Sequence, residues 1–286
     1  MMAYRRRHIE ERIFKFLMMV STGIVAGSLL VIVGTIVVKS LPALRPAMLF
    51  QTPKGGYYLG KEGGILNAIV GSLYLATGAT LLAVVLGLPI VLYLNLYLKR
   101  SSAFAAITRF SLDVLWGVPS IVYGAFGFIV MMALGLRASL LAGILTVGLL
   151  ELPIMTRAMD EVIRLVPQAL KDASYSLGAT KLETALKIVV KQTLPGILTA
   201  VLIAFGRGIG DAASVLFTAG FTDSVPTSLS QPAATLPLAI FFQLGTPFPE
   251  VRQRAYASAA VLTLIILAIS LFSRIVFRKL TKHTIK

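Results

Sequence analysis

Cysteine is absent from this chain, and histidine occurs only twice, at His8 and His283 in the charged tails. The first absence excludes disulfides, thiolate metal sites and cysteine nucleophiles; the second argues against a histidine-based metal or catalytic centre. Charge is scarce too: 14% of the residues are Asp, Glu, Lys or Arg, against roughly a quarter in a soluble domain. Acids are the scarcer sign, 12 against 27 bases, leaving a net charge of +15. That excess could suggest nucleic acid. In a chain that is 57% hydrophobic, with a mean hydropathy of +0.85, it better fits a membrane protein whose basic residues collect on the cytoplasmic side.

What the chain does have is long apolar runs. A bilayer core needs about 20 apolar residues per helix. Phe16 to Val38 is charge-free, and too long for a signal-peptide core, so it reads as a retained first span. Gly63 to Leu98 is the second, with its glycine-rich start at the interface. Val114 to Leu136, interrupted by Pro119, is the third, and Ala138 to Thr156, enclosing Glu151, is the fourth. Gln192 to Thr222 and Ala255 to Ser273 complete the set. With the N-terminus inside, 19 of the 27 lysines and arginines fall in cytoplasmic segments and 7 outside. The expectation is an all-α protein with six spans and both termini cytoplasmic. The outer segment from Asp223 to Arg254 holds one apolar island, LPLAIFFQL, too short to span. It suits an interfacial or re-entrant helix, or a packed loop over the bundle.

Two motifs tempt and fail. GGYYLGKE, Gly55 to Glu62, nearly matches the phosphate-cradling G-x-x-x-x-G-K-[ST], but Glu62 replaces the hydroxyl residue and no strand precedes it. GRGIG, around Arg207, has the wrong spacing for a dinucleotide fingerprint and lies in a span. Its glycines better suit close helix packing or passage of a ligand. Within FGRGIGDAAS, Arg207 and Asp211 are four residues apart in a run otherwise suited to lipid. Arg207 lies 15 residues from each end of that run, so it is expected near the midplane. An arginine there costs about 2.5–3.5 kcal/mol on insertion scales, which argues for a role. A guanidinium presents a planar fork of donors to an oxyanion and stays protonated when desolvated. Asp211 could hold Arg207 at rest, or the two could simply neutralise each other along a helix.

The segment between spans four and five reads VPQALKDASYSLGATKLETALKIVVKQTLPGI, Val166 to Ile197. Pro167 suits a helix start, Leu170, Ala173 and Leu177 share a face, and Gly178 fits a left-handed helix terminus. Thr180 and Glu183 form a T-x-x-E capping box for a second helix, whose apolar face holds Leu182, Leu186, Val189 and Val190. This is a helix, a glycine turn and a second helix, apolar on one side. It suits either an amphipathic loop lying on lipid or docking in a groove on a partner.

The run D-A-S-x-x-L-G-A-T, Asp172 to Thr180, followed by Leu194-Pro195, resembles the EAA loop of ABC importer permeases. Asp stands for the family's Glu, and Ser174 for its second Ala. GGILNAIVGSLYL (Gly63 to Leu75), ELPIMTRAMDEVIRLVP (Glu151 to Pro167) and the Arg207/Asp211 segment followed by LFTA are similar to PstA-type permease subunits of phosphate importers, which usually carry Glu at the position of Asp211. The resemblance implies the ABC type I permease fold over residues 63–278. The coupling loop falls at about 166–194 and the outer loop at about 223–254. Residues 1–62 supply a tail, the first span and an outer loop, and 279–286 a cytoplasmic tail.

The resemblance further implies a coupling surface of Lys171, Asp172, Ala173, Ser174, Leu177, Gly178, Thr180 and Leu182. The substrate path would hold Arg207, Asp211, Arg157 and Glu151. The implied partners are an ATPase dimer (PstB-like), a second permease subunit (PstC-like) and an external phosphate-binding protein (PstS-like), all at a bacterial or archaeal plasma membrane. ATP and magnesium would sit on the ATPase, and this chain would bind no cofactor and catalyse nothing itself. The rival readings are a permease for another oxyanion such as sulfate or molybdate, and a self-sufficient anion channel or secondary transporter. The spans show no convincing internal repeat for the second rival. They hold no nucleophile–base or metal-ligand set for an intramembrane enzyme.

Overall fold

A computed structural model describes residues 2–54, 63–99 and 101–280, with side chains from residue 10 to 275. The phosphate-loop lookalike at 55–62 lies outside the described residues. Every regular element among those described is helical: α1 (Met2–Ser40), α2 (Pro46–Phe50), α3 (Leu66–Leu92), α4 (Ala103–Gly117), α5 (Ser120–Ala133), α6 (Leu140–Arg164), α7 (Gln168–Ser176), α8 (Lys181–Glu183), α9 (Val190–Ile209), α10 (Leu236–Leu244) and α11 (Pro249–Leu280). A π-helical turn, Tyr93–Tyr97, extends α3, and another, Thr184–Val189, joins α8 to α9.

The centre of the bundle is α3, α6 and α9. Glycines let α3 and α6 approach closely. A β-carbon on Gly78 would strike Ile144, and one on Gly87 would strike Thr156. In return Leu75 fills the notch at Gly143, and Leu82 the notch at Gly148. Contacts that climb together along both sequences mean the two helices run parallel. On α9 the order reverses, with Gly196 against Val162 and Gly208 against Glu151 and Val147, so α9 is antiparallel to α6. Small residues at helix crossings are the usual membrane solution, because lipid supplies no hydrophobic drive for association.

Two parallel neighbours require an odd crossing between them. The end of α3 shares an apolar cluster with Val166 and the start of α9 (Leu96, Ile163, Val189). The start of α6 instead sits with Leu75, Ala233 and Leu238 at the opposite end. Residues 98–140 therefore traverse the bundle once, and they do so as α4 and α5, bent by 100° at Val118-Pro119. The third span, expected from Val114 to Leu136 with an interruption at Pro119, is thus a broken one. It begins at Ala103 and turns where proline withholds its amide and pushes the preceding residue out of helical geometry. Among the described residues, five long apolar helices and this bent pair make up to six candidate crossings.

A second departure concerns span five. Its helix stops at Ile209, and residues 211–222 fold as turns instead of the expected helix to Thr222. Those turns are walled in by protein. Val215 and Ala219 are fully buried, and Gly124 of α5 lies against the carbonyls of Ala213 and Ser214. Irregular backbone at membrane depth is tolerated only in such surroundings. The apolar island forms α10, capped by the Thr235 hydroxyl and packed on α11 and α3 through Leu236 and Ala239. There the Leu236 amide donates to Ser72 Oγ at 2.7 Å. By contrast α1 exposes apolar side chains on all sides and touches the bundle mainly along α11, as where Lys39 Nζ reaches the Tyr256 hydroxyl.

Candidate functional site

Two places carry the sequence-predicted site residues: the end of α9 and the α7 turn. At the first, Arg207 occupies the last turn of α9 and is exposed, forming no ion pair among the described residues. A cation suits a helix C-terminus, whose free carbonyls carry partial negative charge. The expected contact with Asp211 does not form. The helix ends before Asp211, so the two are no longer one turn apart on a common face. Asp211 is buried and its Oδ2 accepts the Ser214 amide at 2.8 Å, pinning the turn that follows. Asp211 is therefore a capping residue in this conformation, not a resting counter-charge.

Glu151 pairs with neither arginine. It is fully buried on α6, and its Oε2 accepts the Thr80 hydroxyl of α3 at 2.8 Å. Its Oε1 has no hydrogen-bond partner and abuts the Cα of Gly208, so closely that a β-carbon there would fall 1.8 Å away. Of the two readings of GRGIG, close packing holds at Gly208, while nothing approaches Gly206. Thr80 carries no sequence signal of its own, and only the fold brings it to the carboxyl.

Arg157 is likewise committed. Its guanidinium meets Asp113 Oδ1 at 2.5 Å, Asp160 Oδ2 at 3.2 Å and Glu161 Oε1 at 3.4 Å, clamping α6 to α4. Asp160, fully buried, also accepts Arg109 Nε at 2.8 Å and Asn95 Nδ2 at 2.6 Å. This network joins α3, α4 and α6, and the sequence reading missed it. The i, i+3 spacing of Arg157 and Asp160 was the available signal.

The α7 turn follows its sequence closely. Gly178 takes φ +82°, and two bonds close the helix: its amide to Tyr175 O (2.9 Å) and the Ala179 amide to Ser174 O (3.2 Å). That is the Schellman pattern, in which a left-handed residue satisfies the orphan carbonyls. Both halves of the capping box are made, with Thr180 Oγ1 accepting the Glu183 amide and Glu183 Oε2 accepting the Thr180 amide. Asp172, Ala173, Gly178, Thr180 and Leu182 are exposed, and Leu177 is 89% exposed. A groove of about 470 Å³ runs along Leu170, Ala173, Leu177 and Gly178.

Two members of the expected coupling surface are buried. Ser174 is buried with its hydroxyl 2.8 Å from Thr184 Oγ1. Lys171 is buried against a second cavity between α7 and the bundle. On a nine-residue helix one face must hold to the body, and positions 171 and 174 share it.

The family of binding-protein-dependent transport system inner membrane components matches residues 79–286. The phosphate transport system permease protein PstA of Haemophilus influenzae is 34% identical over 86% of this chain and 86% of its own length. That of Yersinia pestis is 37% identical over 77% of this chain and 74% of its own length. Among solved structures, the inward-facing methionine ABC transporter MetNI superposes with a TM-score of 0.60 at 17% identity, covering 76% of this chain and 95% of that one. An amino acid ABC transporter gives 0.57 at 19% identity, covering 75% and 93%. The fold is that of ABC type I importer permeases, and the chain belongs to the family of inner-membrane components of binding-protein-dependent transport systems.

Proposed function

We propose that this chain is the permease subunit of an ATP-driven importer that carries inorganic phosphate across the plasma membrane. One observation carries the coupling half of the reading. The α7 turn projects Leu177 and its neighbours as an apolar knob on a hydrogen-bonded scaffold, outside any core of its own. Such a knob fits a groove on a separate ATPase, which would hold the ATP and magnesium. The excess of lysine and arginine on that side supports a cytoplasmic placement. The identity of the ion rests on the PstA relatives together with Arg207, an exposed donor fork in the last turn of α9 that no carboxylate among the described residues holds. An oxyanion would pass Arg207, while Asp211 fixes the adjoining turn, Glu151 the seat of α9, and Arg157 the cytoplasmic end of α6. A second permease subunit would close the far side of the path, and an external phosphate-binding protein would deliver the ion.

Radiolabelled uptake into vesicles holding the assembled importer tests this reading. ATP-dependent phosphate uptake is expected, with weak competition by sulfate and molybdate and a loss of about ten- to a hundredfold in Arg207→Ala, as one charge-assisted fork is worth roughly 1.5–3 kcal/mol. Uptake without ATP, or uptake unaffected by Arg207→Ala, sinks it. Sulfate or molybdate carried in preference to phosphate would move the assignment to the other oxyanion.

A further inference from the structure

Behind α7, on the side away from the exposed knob, lies a cavity of about 510 Å³ that the transport reading does not use. Its walls come from four places in the chain: the π-helical end of α3, α4, the last turn of α6, and α7 with Lys181. Each contributes polar groups, and four of the lining side chains are cationic: Arg109, Arg164, Lys171 and Lys181. None of the lining residues is a carboxylate.

Such a gathering of like charge is unfavourable unless something offsets it. Part of the offset is visible. Asp160, just behind the wall, takes Nε and Nη2 of Arg109. The ring of Tyr97 lies 5.3 Å from Lys181 Nζ. Arg164 forms no salt bridge among the described residues. Lys171 is only 5% exposed although it extends from a surface helix. Tyr175 adds a hydroxyl, and partial burial and the nearby Asp172 push its phenol above its ordinary range, so it remains a donor. The lining itself carries four cations and no carboxylate.

We propose that this cavity binds a phosphate group, gripped by Arg109, Arg164, Lys171 and Lys181. Arg164 supplies a planar fork, Arg109 the guanidinium nitrogen that Asp160 does not take, and two lysines supply point charges. The bound group bridges α7 to α4 and α6, so it braces the docking helix against the bundle. Two sources present the same chemistry at this depth: free phosphate from the aqueous side and the headgroup of an anionic phospholipid. Basic pockets between helices at the membrane surface are suited to both.

The test uses the full-length chain in nanodiscs, comparing wild type with the double substitution Arg164→Gln/Lys181→Gln at two exposed positions. In discs of phosphatidylcholine alone, equilibrium binding of radiolabelled inorganic phosphate is measured at about 0.15 M salt. In discs that also contain phosphatidylglycerol, the lipid retained per chain is counted by native mass spectrometry. Saturable occupancy in either arm that falls about tenfold or more in the double variant supports the site, and the responding arm names the source. Arg164→Lys, which keeps the charge, is expected to retain most of the occupancy. Occupancy that is absent from both arms, or equal in wild type and variant, overturns the proposal. Thermal midpoints of the variants confirm folding, and uptake by the assembled importer is followed separately, so a failure here does not touch the permease reading.

Discussion

Gly208 is where a single methyl group should report most clearly on this packing. Alanine there sets its β-carbon 1.8 Å from Glu151 Oε1 and 3.0 Å from Val147 Cγ1. The carboxyl is fully buried and held by Thr80 on its other oxygen, so it can give way only by losing that bond. Otherwise α9 must lift from α6. Overpacking costs about 1–3 kcal/mol, and a buried carboxyl stripped of its partner about 1–3 kcal/mol more. A destabilisation of about 2–6 kcal/mol is expected, lowering the thermal midpoint by about 4 °C or more at roughly 2–4 °C per kcal/mol. The assay is a melting curve of the purified chain in detergent for wild type, Gly208→Ala, Glu151→Ala and the double variant. If the clash is the cause, Glu151→Ala removes it, and the double variant melts above the sum of the single effects by about 1–3 kcal/mol of coupling. A Gly208→Ala protein as stable as wild type, or strict additivity in the cycle, refutes the reasoning.

Other perturbations follow from the same structure. Asp160→Asn removes the one charge between Arg109 and Arg157. Because both guanidiniums keep some solvent, a loss of about 2–3 kcal/mol is expected, below the full cost of breaking a buried pair; an unchanged melting curve would contradict it. An added β-carbon at Gly178 meets no atom within 4 Å, so Gly178→Ala should cost only the left-handed backbone, about 1–2 kcal/mol. Gly178→Pro cannot adopt φ +82° and should separate ATP hydrolysis from uptake, which wild-type coupling ratios would disprove. Leu177→Asp changes an exposed side chain, so the chain's own melting should shift by less than about 0.5 kcal/mol while the ATPase no longer co-purifies; retention of the ATPase counts against docking at the knob.

The legible parts of this fold were local. Gly178 and the T-x-x-E box each dictate backbone within a few residues, and both formed as the sequence indicates. Apolar length located the crossings, because the bilayer imposes it. What escaped was tertiary. Pro119 was seen as an interruption, but the 100° bend there, with α4 tied to α6 through Asp113 and Arg157, is not written in the local sequence. Hydropathy alone could not end α9 at Ile209, since the turns beyond it are as apolar as a helix and are sheltered by α5 instead of lipid. For the same reason the spacing of Arg207 and Asp211 suggested a pair that the backbone does not allow. Composition showed that Lys171 and Ser174 sit on α7, and only the packed structure shows which way they turn.

The glycine notches between α3 and α6 carry a mechanical implication. Each bulky side chain seated on a bare backbone acts as a tooth, and four teeth spaced from Leu75 to Thr156 engage at once. Sliding one helix along the other by a single turn would lift all four together. The pair is therefore a stiff beam that can tilt but not telescope, so a load at one end reaches the other as a change of angle.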